Sequence, residues 1–516
     1  MGVLYVRVRW ARLVMACGVV LGFCLNVAGH AQDTRVVTEP VVPVVCAKLE
    51  AQLSTSAGGD HQAAIREVDE DKLDTERIQK AIDGCKAGQA VELAAVSGAC
   101  AKDVARCSAA KAAFLTGPLE LREGVTLLID KDVTLFGSRD PKVYEFVDAN
   151  RKPDDPITCG TSRPRPAALP TFSMNAAARP RGGCRPLISI NVKNAAIMGE
   201  GAIDGRGYAR LIGHDYSWWE MARKAQPNDD LYFSTRLIVA SHADGLILYK
   251  IHLFNSPNFH VTVNGTNGFT AWGVHLQTPT NKALVGTDNE ARNTDGIDPG
   301  TSQNITIAHS WIDNGDDNVA VKQGISHMSV IDNHFYSGHG MSIGSETVAG
   351  QSFLLVDGLT EEHTASGIRI KSNVKRGGPV HDLTYQNVCM KDVPIPIAIS
   401  PYYTNQTVEP FEDPKYEGDK IPDYKGITLQ NIHSMTPGDV LIAGLNADHV
   451  TEVLLNDVTV EGIKPGQVHL NFVHAKLGVG GTNFELKGHE VTVDHLGGNY
   501  GRGFTSPCAG KFVPMQ

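Results

Sequence analysis

The sequence predicts an all-β protein, a right-handed parallel β-helix with a short N-terminal capping helix. Three observations carry this. First, β-rich units recur at one spacing: taking the first core apolar residue of each unit, Leu246 to Phe269 is 23 residues and Ile305 to Met328 is again 23. Solenoid coils repeat about every 20 to 30 residues. Second, the units are short, alternating and rich in Val and Ile, with Asn, Asp and Gly between them, as strands and turns should be. Third, helical periodicity is missing after residue 220, which argues against a βα barrel. A sandwich is the remaining rival, and the 23-residue recurrence disfavours it.

In chain order, Arg7, Arg9 and Arg12 precede an apolar run from Leu13 to Val27, and small residues lead to Ala31. This is the charged, apolar and small-residue pattern of a secretory signal. The run is shorter than the ~20 residues a spanning helix needs, and Phe23 before Cys24 is too bulky for lipoprotein processing. Residues 1–31 are therefore expected to leave on export, giving a secreted, extracellular protein that has passed through the periplasm. Cys17 and Cys24 leave with them. Eight cysteines remain, and an even count in an exported chain suggests disulfides. Proximity suggests Cys46–Cys85, Cys100–Cys107 and Cys159–Cys184, with Cys389 a buried thiol. No CxxC pair occurs, so zinc is not expected; the reading calls for no metal and no cofactor.

Residues 32–89 form an N-terminal segment, polar and irregular to about 70. Asp74 then precedes TERIQKAIDGC, where Ile78, Ala81, Ile82 and Cys85 fall on one helix face. Asp74 suits the N-cap, and Gly84 lies near the end. Such a helix can cover the open end of a solenoid, whose strand edges would otherwise invite aggregation. Residues 90–496 read as the β-helix, interrupted near 140–184 by a Pro-, Arg- and Gly-rich loop. From Pro186 the pattern is regular, with LISINVKNAAIMGEGAIDGRG as two strands and a Gly-rich turn. Met328 to Leu383 should contain one extra coil. Residues 497–516 form a tail.

The formal net charge of −10 gives no sign of nucleic-acid binding, no later stretch is apolar enough to span a membrane, and the chain is read as a monomer. Function concentrates between Asn293 and Lys371. Asp295 to Asp316 is 21 residues, Asp316 to His339 is 23, and His339 to Arg369 is 30. Groups one coil apart stack about 4.8 Å apart on one wall. Asp316 lies 11 residues after Ile305, and His339 lies 11 after Met328, so the two should be vertical neighbours. Arg369 and Lys371 both point outward if Ile368 and Ile370 point inward. Clustered carboxylates push one pKa up, so one can act as acid while another serves as base. Cations beside them can bind substrate carboxylates. Acids for cleavage beside cations for carboxylate recognition point to a polyuronide. Taken singly, the Asn-Gly-Asp runs, His339 and RIK are ordinary turn and surface features; their shared phase is what carries the reading.

At these residues the chain resembles glycoside hydrolase family 28, the polygalacturonases. The signatures are Asn293-Thr294-Asp295, Gly315-Asp316-Asp317, Gly338-His339-Gly340 and Arg369-Ile370-Lys371, and the match looks closest to secreted bacterial endopolygalacturonases. The resemblance implies hydrolysis of polygalacturonate (pectin) with inversion. It implies Asp316 as general acid, Asp295 and Asp317 activating water, and His339 tuning the acid. Arg369 and Lys371 would bind galacturonate carboxylates, with Tyr403 as a further substrate contact, or Tyr402 if the register slips by one. The glycine-histidine-glycine signature favours homogalacturonan over rhamnogalacturonan. Insertions at Ala95–Ala110, Pro153–Gly183 and Thr407–Asp423, and the tail after Gly497, depart from the bacterial endo pattern. Exo-acting members use such loops to block one end of the cleft, so endo action is the first expectation and exo action the second. A lyase on a similar solenoid and a non-catalytic glycan-binding solenoid are the remaining alternatives.

Overall fold

The computed structural model describes residues 32–57, 63–96, 111–146, 156–166, 183–278, 290–404, 417–497 and 508–515. A typical coil contributes three short strands, and strands of successive coils pair in parallel within one sheet of 32 strands. The result is a parallel β-helix with three ladders. In the first, Ile297 pairs with Val319, Val319 with Met341, Met341 with Ile368 and Ile368 with Ile397. In the second, Phe269, Ile305, Met328, Leu354 and Leu383 pair in succession. The 23-residue spacing is thus the coil repeat, and Leu354 supplies the extra coil before Leu383. In the third, His252, His275, Trp311, His334 and Thr360 pair in the same way.

Alternation decides what faces inward. Ile297, Val319, Met341, Ile368 and Ile397 of the first ladder are fully buried, as are Leu253, Leu276, Ile312 and Phe335 of the third. Truncating such a residue costs about 2–5 kcal/mol through lost transfer energy and the cavity left. The second and third ladders meet at a single left-handed residue in each coil: Lys250, Gly273, His309 and Asp332 all have φ between +51° and +63°. Non-glycine residues rarely adopt that region, so the coil closes at some conformational cost, offset by packing on both sides.

The capping helix α1 (Thr75–Gly84) buries Ile78 and Ile82 against the first coils. Asp74 occupies its N-cap, but the carboxylate turns to Arg77 at 3.0 Å and to the backbone N–H of Leu115 at 3.2 Å. Several expectations change. Residues 32–70 are not wholly irregular: Val44–Glu50 forms a strand paired with Gln89–Ala94, because VVCAKLE alternates well enough to extend the second ladder. Residues 33–39 run across that ladder, tied by Asp33 to Ser329 and Thr306 and by Glu39 to Tyr249. The stretch after Pro186 makes three strands, Ile188–Ile190, Ala196–Met198 and Ala202–Asp204. A second helix, α2 (Trp218–Ala225), is held by a capping box between Ser217 and Glu220. Cys46–Cys85 and Cys159–Cys184 pair, but Cys389 is no free thiol: it bonds Cys508, 119 residues away, tying the tail to the third ladder. Cys100–Cys107 and the signal at 1–31 lie outside the described residues, as do most of the three insertions. Among the described residues no helix is long and apolar enough to cross a membrane.

Candidate active site

The wall of interest is the outer face of the first ladder together with the loops that enter it from the third. Ile368 and Ile370 point into the core, so Arg369 and Lys371 point out. They are nevertheless almost covered, at 9% and 6% side-chain exposure, because Asp317 lies across them. Asp317 Oδ1 accepts from Arg369 Nη1 at 2.9 Å and Ser342 Oγ at 2.7 Å; Oδ2 accepts from Lys371 Nζ at 2.7 Å. Ser342 is the rung directly before Arg369. Burial pushes the Asp317 carboxyl up, but Lys371 and Arg369 outweigh it and hold the group below its usual range.

Asp316 is the more open acid, with its side chain 19% exposed against 3% for Asp317. His339 Nδ1 lies 3.1 Å from Asp316 Oδ1 and 3.8 Å from Asp317 Oδ1. Asp316 Oδ2 accepts from the backbone N–H and the side-chain Nδ2 of Asn293 at 3.3 and 3.4 Å. Burial pushes this carboxyl up, yet the charge and hydrogen bond of His339, with Lys371 behind, hold it well below the carboxylate range. Two glycines make this approach possible. A Cβ on Gly315 would lie 1.9 Å from the Ala291 carbonyl oxygen, and one on Gly340 would lie 2.0 Å from that of Ser366.

Asp295 comes in from the preceding coil. Its loop is stitched to that of Asp317: Gly296 N–H donates to the Asp317 carbonyl at 2.9 Å, and Asn314 Nδ2 donates to the Thr294 carbonyl at 2.8 Å. The carboxyl is buried, with Oδ2 3.4 Å from Lys322 Nζ and no partner on Oδ1. Burial, then Asp298 and Asp316, push it well above the carboxylate range, with Lys322 opposing. Tyr403 sits over the two cations, its ring centroid 5.7 Å from the Arg369 guanidinium carbon and 5.2 Å from Lys371 Nζ. Tyr402 is turned into the wall instead, its hydroxyl donating to the Leu445 carbonyl at 2.8 Å. The structure thus brings Asp295, Asp316, Asp317, His339, Arg369, Lys371 and Tyr403 together on one wall.

Sequence reasoning missed four neighbours. Asp298 and Lys322 flank Asp295. Tyr232 and Gln226 hold Asn293, the Tyr232 hydroxyl donating to Asn293 Oδ1 at 2.9 Å. Asp298 stood in view within NTDGIDP; Tyr232 and Gln226, more than 60 residues from their partner, left no local signal. His260 backs the site: its Nδ1 lies 3.2 Å from the carbonyls of Thr294 and Asp295, and burial pulls its pKa down to about 4. Asp316, Asp317 and His339 offer ligand atoms within 4.8 Å of one another, a spacing a cation could bridge. Both Asp317 oxygens are already engaged by Arg369, Lys371 and Ser342, so side chains supply the positive charge there.

Comparison with known proteins adds relatives. The family model described as Glycosyl hydrolases family 28 matches residues 171–478. An endo-polygalacturonase of Pectobacterium carotovorum subsp. carotovorum is 36% identical over 448 residues, 86% of this chain and 93% of that protein. A polygalacturonase of Ralstonia solanacearum is 32% identical, covering 95% of this chain and 96% of its own length. Among solved structures, the polygalacturonase from Erwinia carotovora ssp. carotovora superposes with a TM-score of 0.65 at 34% identity, covering 90% of this chain and all of that one.

Proposed function

The chain belongs to glycosyl hydrolases family 28, and on that footing we propose that it is an endo-polygalacturonase, cleaving α-1,4-galacturonosyl linkages of polygalacturonate (pectin) with inversion. One observation carries the reading: an accessible carboxyl, Asp316, stands against a buried Asp317 whose oxygens are taken by Arg369 and Lys371. Acid and carboxylate-binding cations are there in one place. The two relatives most similar in sequence reported above support the substrate, one of them by name the endo mode.

Asp316 gives its proton to the leaving glycosidic oxygen as water attacks the anomeric carbon, and Asp295 takes the proton that water loses. Asp295 suits the base because Oδ1 has no partner. Asp317 has no free oxygen until something draws Arg369 and Lys371 away. A galacturonate carboxylate would do that, and its negative charge beside Asp316 would raise that acid toward the protonated state it needs. His339 holds Asp316 in place, and Tyr403 offers a ring face beside the substrate's carboxylate partners.

In the free protein the proton rests with Asp295 and Asp298, the latter pushed up to about 6 by burial and Asp317, with Lys322 opposing. Once the site loses that proton it lacks its acid, so kcat/KM should fall as pH rises out of the mildly acidic range. A rate still rising above neutrality would contradict it. Asp316→Asn should lower kcat by about a thousandfold or more while leaving binding largely intact. Unchanged cleavage by that variant ends the hydrolase reading. A digestion time course resolved by oligomer length tests the endo mode: mixed oligomers come first, whereas monomer or dimer from the outset means exo action. Proton NMR of the first product should show the β anomer. Removal of residues 1–31 and action outside the cytoplasm as a monomer belong to the same reading, supported by the three disulfides among the described residues, which suit an oxidising compartment. N-terminal sequencing of exported protein and sedimentation would test them.

A further inference from the structure

Beside Asp295 lies a second buried acid, which the mechanism above uses only as a resting place for the proton. Asp298 is 3% exposed, and neither of its carboxyl oxygens has a hydrogen-bond partner. Its Oδ2 lies 3.5 Å from Lys322 Nζ, the same ammonium that stands 3.4 Å from Asp295 Oδ2. The strand Val319–Val321 ends just before Lys322, whose chain then lies against Phe259, the ammonium 5.6 Å from the ring centroid. One cation therefore serves two carboxyls that are both out of water. Burying a charge without a partner is costly, and two carboxylates in one site do not both ionise readily. A single ammonium offsets one negative charge.

We propose that Lys322 is a positioning residue for the reaction: its one ammonium, shared by Asp295 and Asp298, keeps one of the two carboxyls ionised, so that Asp295 is available to take the proton from water. The other carboxyl of the pair then holds the remaining proton. The inference rests on the roles proposed above for Asp295 and Asp316.

The surroundings agree. Asp295 faces Asp298, Asp316 and Asp317 as acids and Lys322 as its near cation, with Tyr232 at the groove's side and the neutral His260 behind its backbone. Lys322 in turn faces Asp298, Asp295, Glu346 and Asp317, which outweigh its burial and keep it charged. Lys371 is committed to Asp317 and does not reach Asp295. Asp298 also faces Asp317 and Asp316 as acids and Arg236 as a further cation.

The test compares wild type with Lys322→Met, Lys322→Arg and Asp298→Asn, following both kcat/KM against pH and the Asp295 carboxyl by 13C NMR titration, assigned with Asp295→Asn. Lys322→Met should move the Asp295 titration and the alkaline limb of kcat/KM up by about 1 to 3 pH units. The plateau should fall by the same power of ten, since less Asp295 is ionised while Asp316 holds a proton. Lys322→Arg should restore both. Asp298→Asn should move both down, and it carries the test alone if Lys322→Met does not fold. A merely structural lysine would lower activity at every pH without moving either titration, and that result overturns the proposal. If the protein does not cleave polygalacturonate but the Asp295 titration still moves, the functional reading fails and the ionic arrangement stands. If cleavage is intact and the titration is fixed, the reverse holds.

Discussion

Along the outer face of the first ladder the rungs carry Asp298, then Ser342 and Arg369; along the outer face of the third they carry His252, His275, Trp311 and His334. Both faces belong to the same coils and have the same rise. On the third, each ring meets a ring of the next coil: His252 on His275 at 4.3 Å and 8°, His275 on Trp311 at 4.5 Å and 13°. Burial and then His275 pull His252 down to about 4, so above that its contribution to the stack is uncharged. On the first, Asp298 meets Lys322 and Arg369 meets Asp317, opposite charges that arrive from loops, and Ser342 donates to the same Asp317. Like-on-like stacking makes a wall; charge met by charge makes a place where a proton can be moved. The difference shows that coil repetition supplies position only, and that the loops entering one face decide which wall does chemistry.

The sharpest way to break this contrast is Asp317→Asn. It leaves Arg369 and Lys371 buried without their acid, and removing one member of a buried pair costs about 3–5 kcal/mol. Both polygalacturonate cleavage and the urea midpoint should collapse together; a variant of native stability would mean the cations find other partners. The third ladder offers the converse case, because it also turns an acid inward. Glu361 is fully buried, accepts the Met341 N–H at 3.1 Å, and is pushed up to about 8 by burial. A carboxyl raised in the folded state adds stability that is fully present below its unfolded value near 4.5 and lost as pH rises through about 8. Glu361→Gln should therefore be stabilising by roughly 3 kcal/mol at pH 7 and neutral at pH 4, read from urea unfolding at the two pH values. Equal effects at both would show that Glu361 does not carry the proton. Trp311→Ala should cost about 2 kcal/mol of stability, since its ring is stacked but only partly buried. It should leave kcat/KM unchanged; a fall would link the two walls. The smallest effect belongs to Tyr403→Ala, which removes a ring over two cations and should raise KM several-fold, about 1 kcal/mol, with kcat nearly kept.

What the sequence disclosed and what it hid follow from range. Ile305 and Met328 could be matched because a solenoid turns spatial neighbours into a fixed offset along the chain, and Asp316 and His339 inherited that offset. The same logic separated Ile368 and Ile370 from Arg369 and Lys371. It could not show that those two cations would be covered by Asp317, since the covering residue comes from a loop whose path no periodicity describes. Helix α2 did leave a signal, Ser217 followed three residues later by Glu220; its eight residues are too few to set up a visible period. Cys389–Cys508 was hidden because proximity in the chain was the guide and 119 residues separate the partners. Lys322 was hidden because a lysine after a Val-Ala-Val strand reads as solvated until the two acids behind it are seen.

The left-handed corner residue repeated from Lys250 to Asp332 has one further consequence. It locks each turn of the spiral into the same outline, so the vertical offset between any two groups on a wall can change only in whole floors. Removing one complete turn between the floor of Asp316 and that of Arg369 would leave a continuous greasy interior and an intact outer shape. Yet it would shift the cations by one storey against the acids. Fine adjustment of such a protein is therefore left to the crossing segments at its rim, and its body can be lengthened or shortened but not stretched.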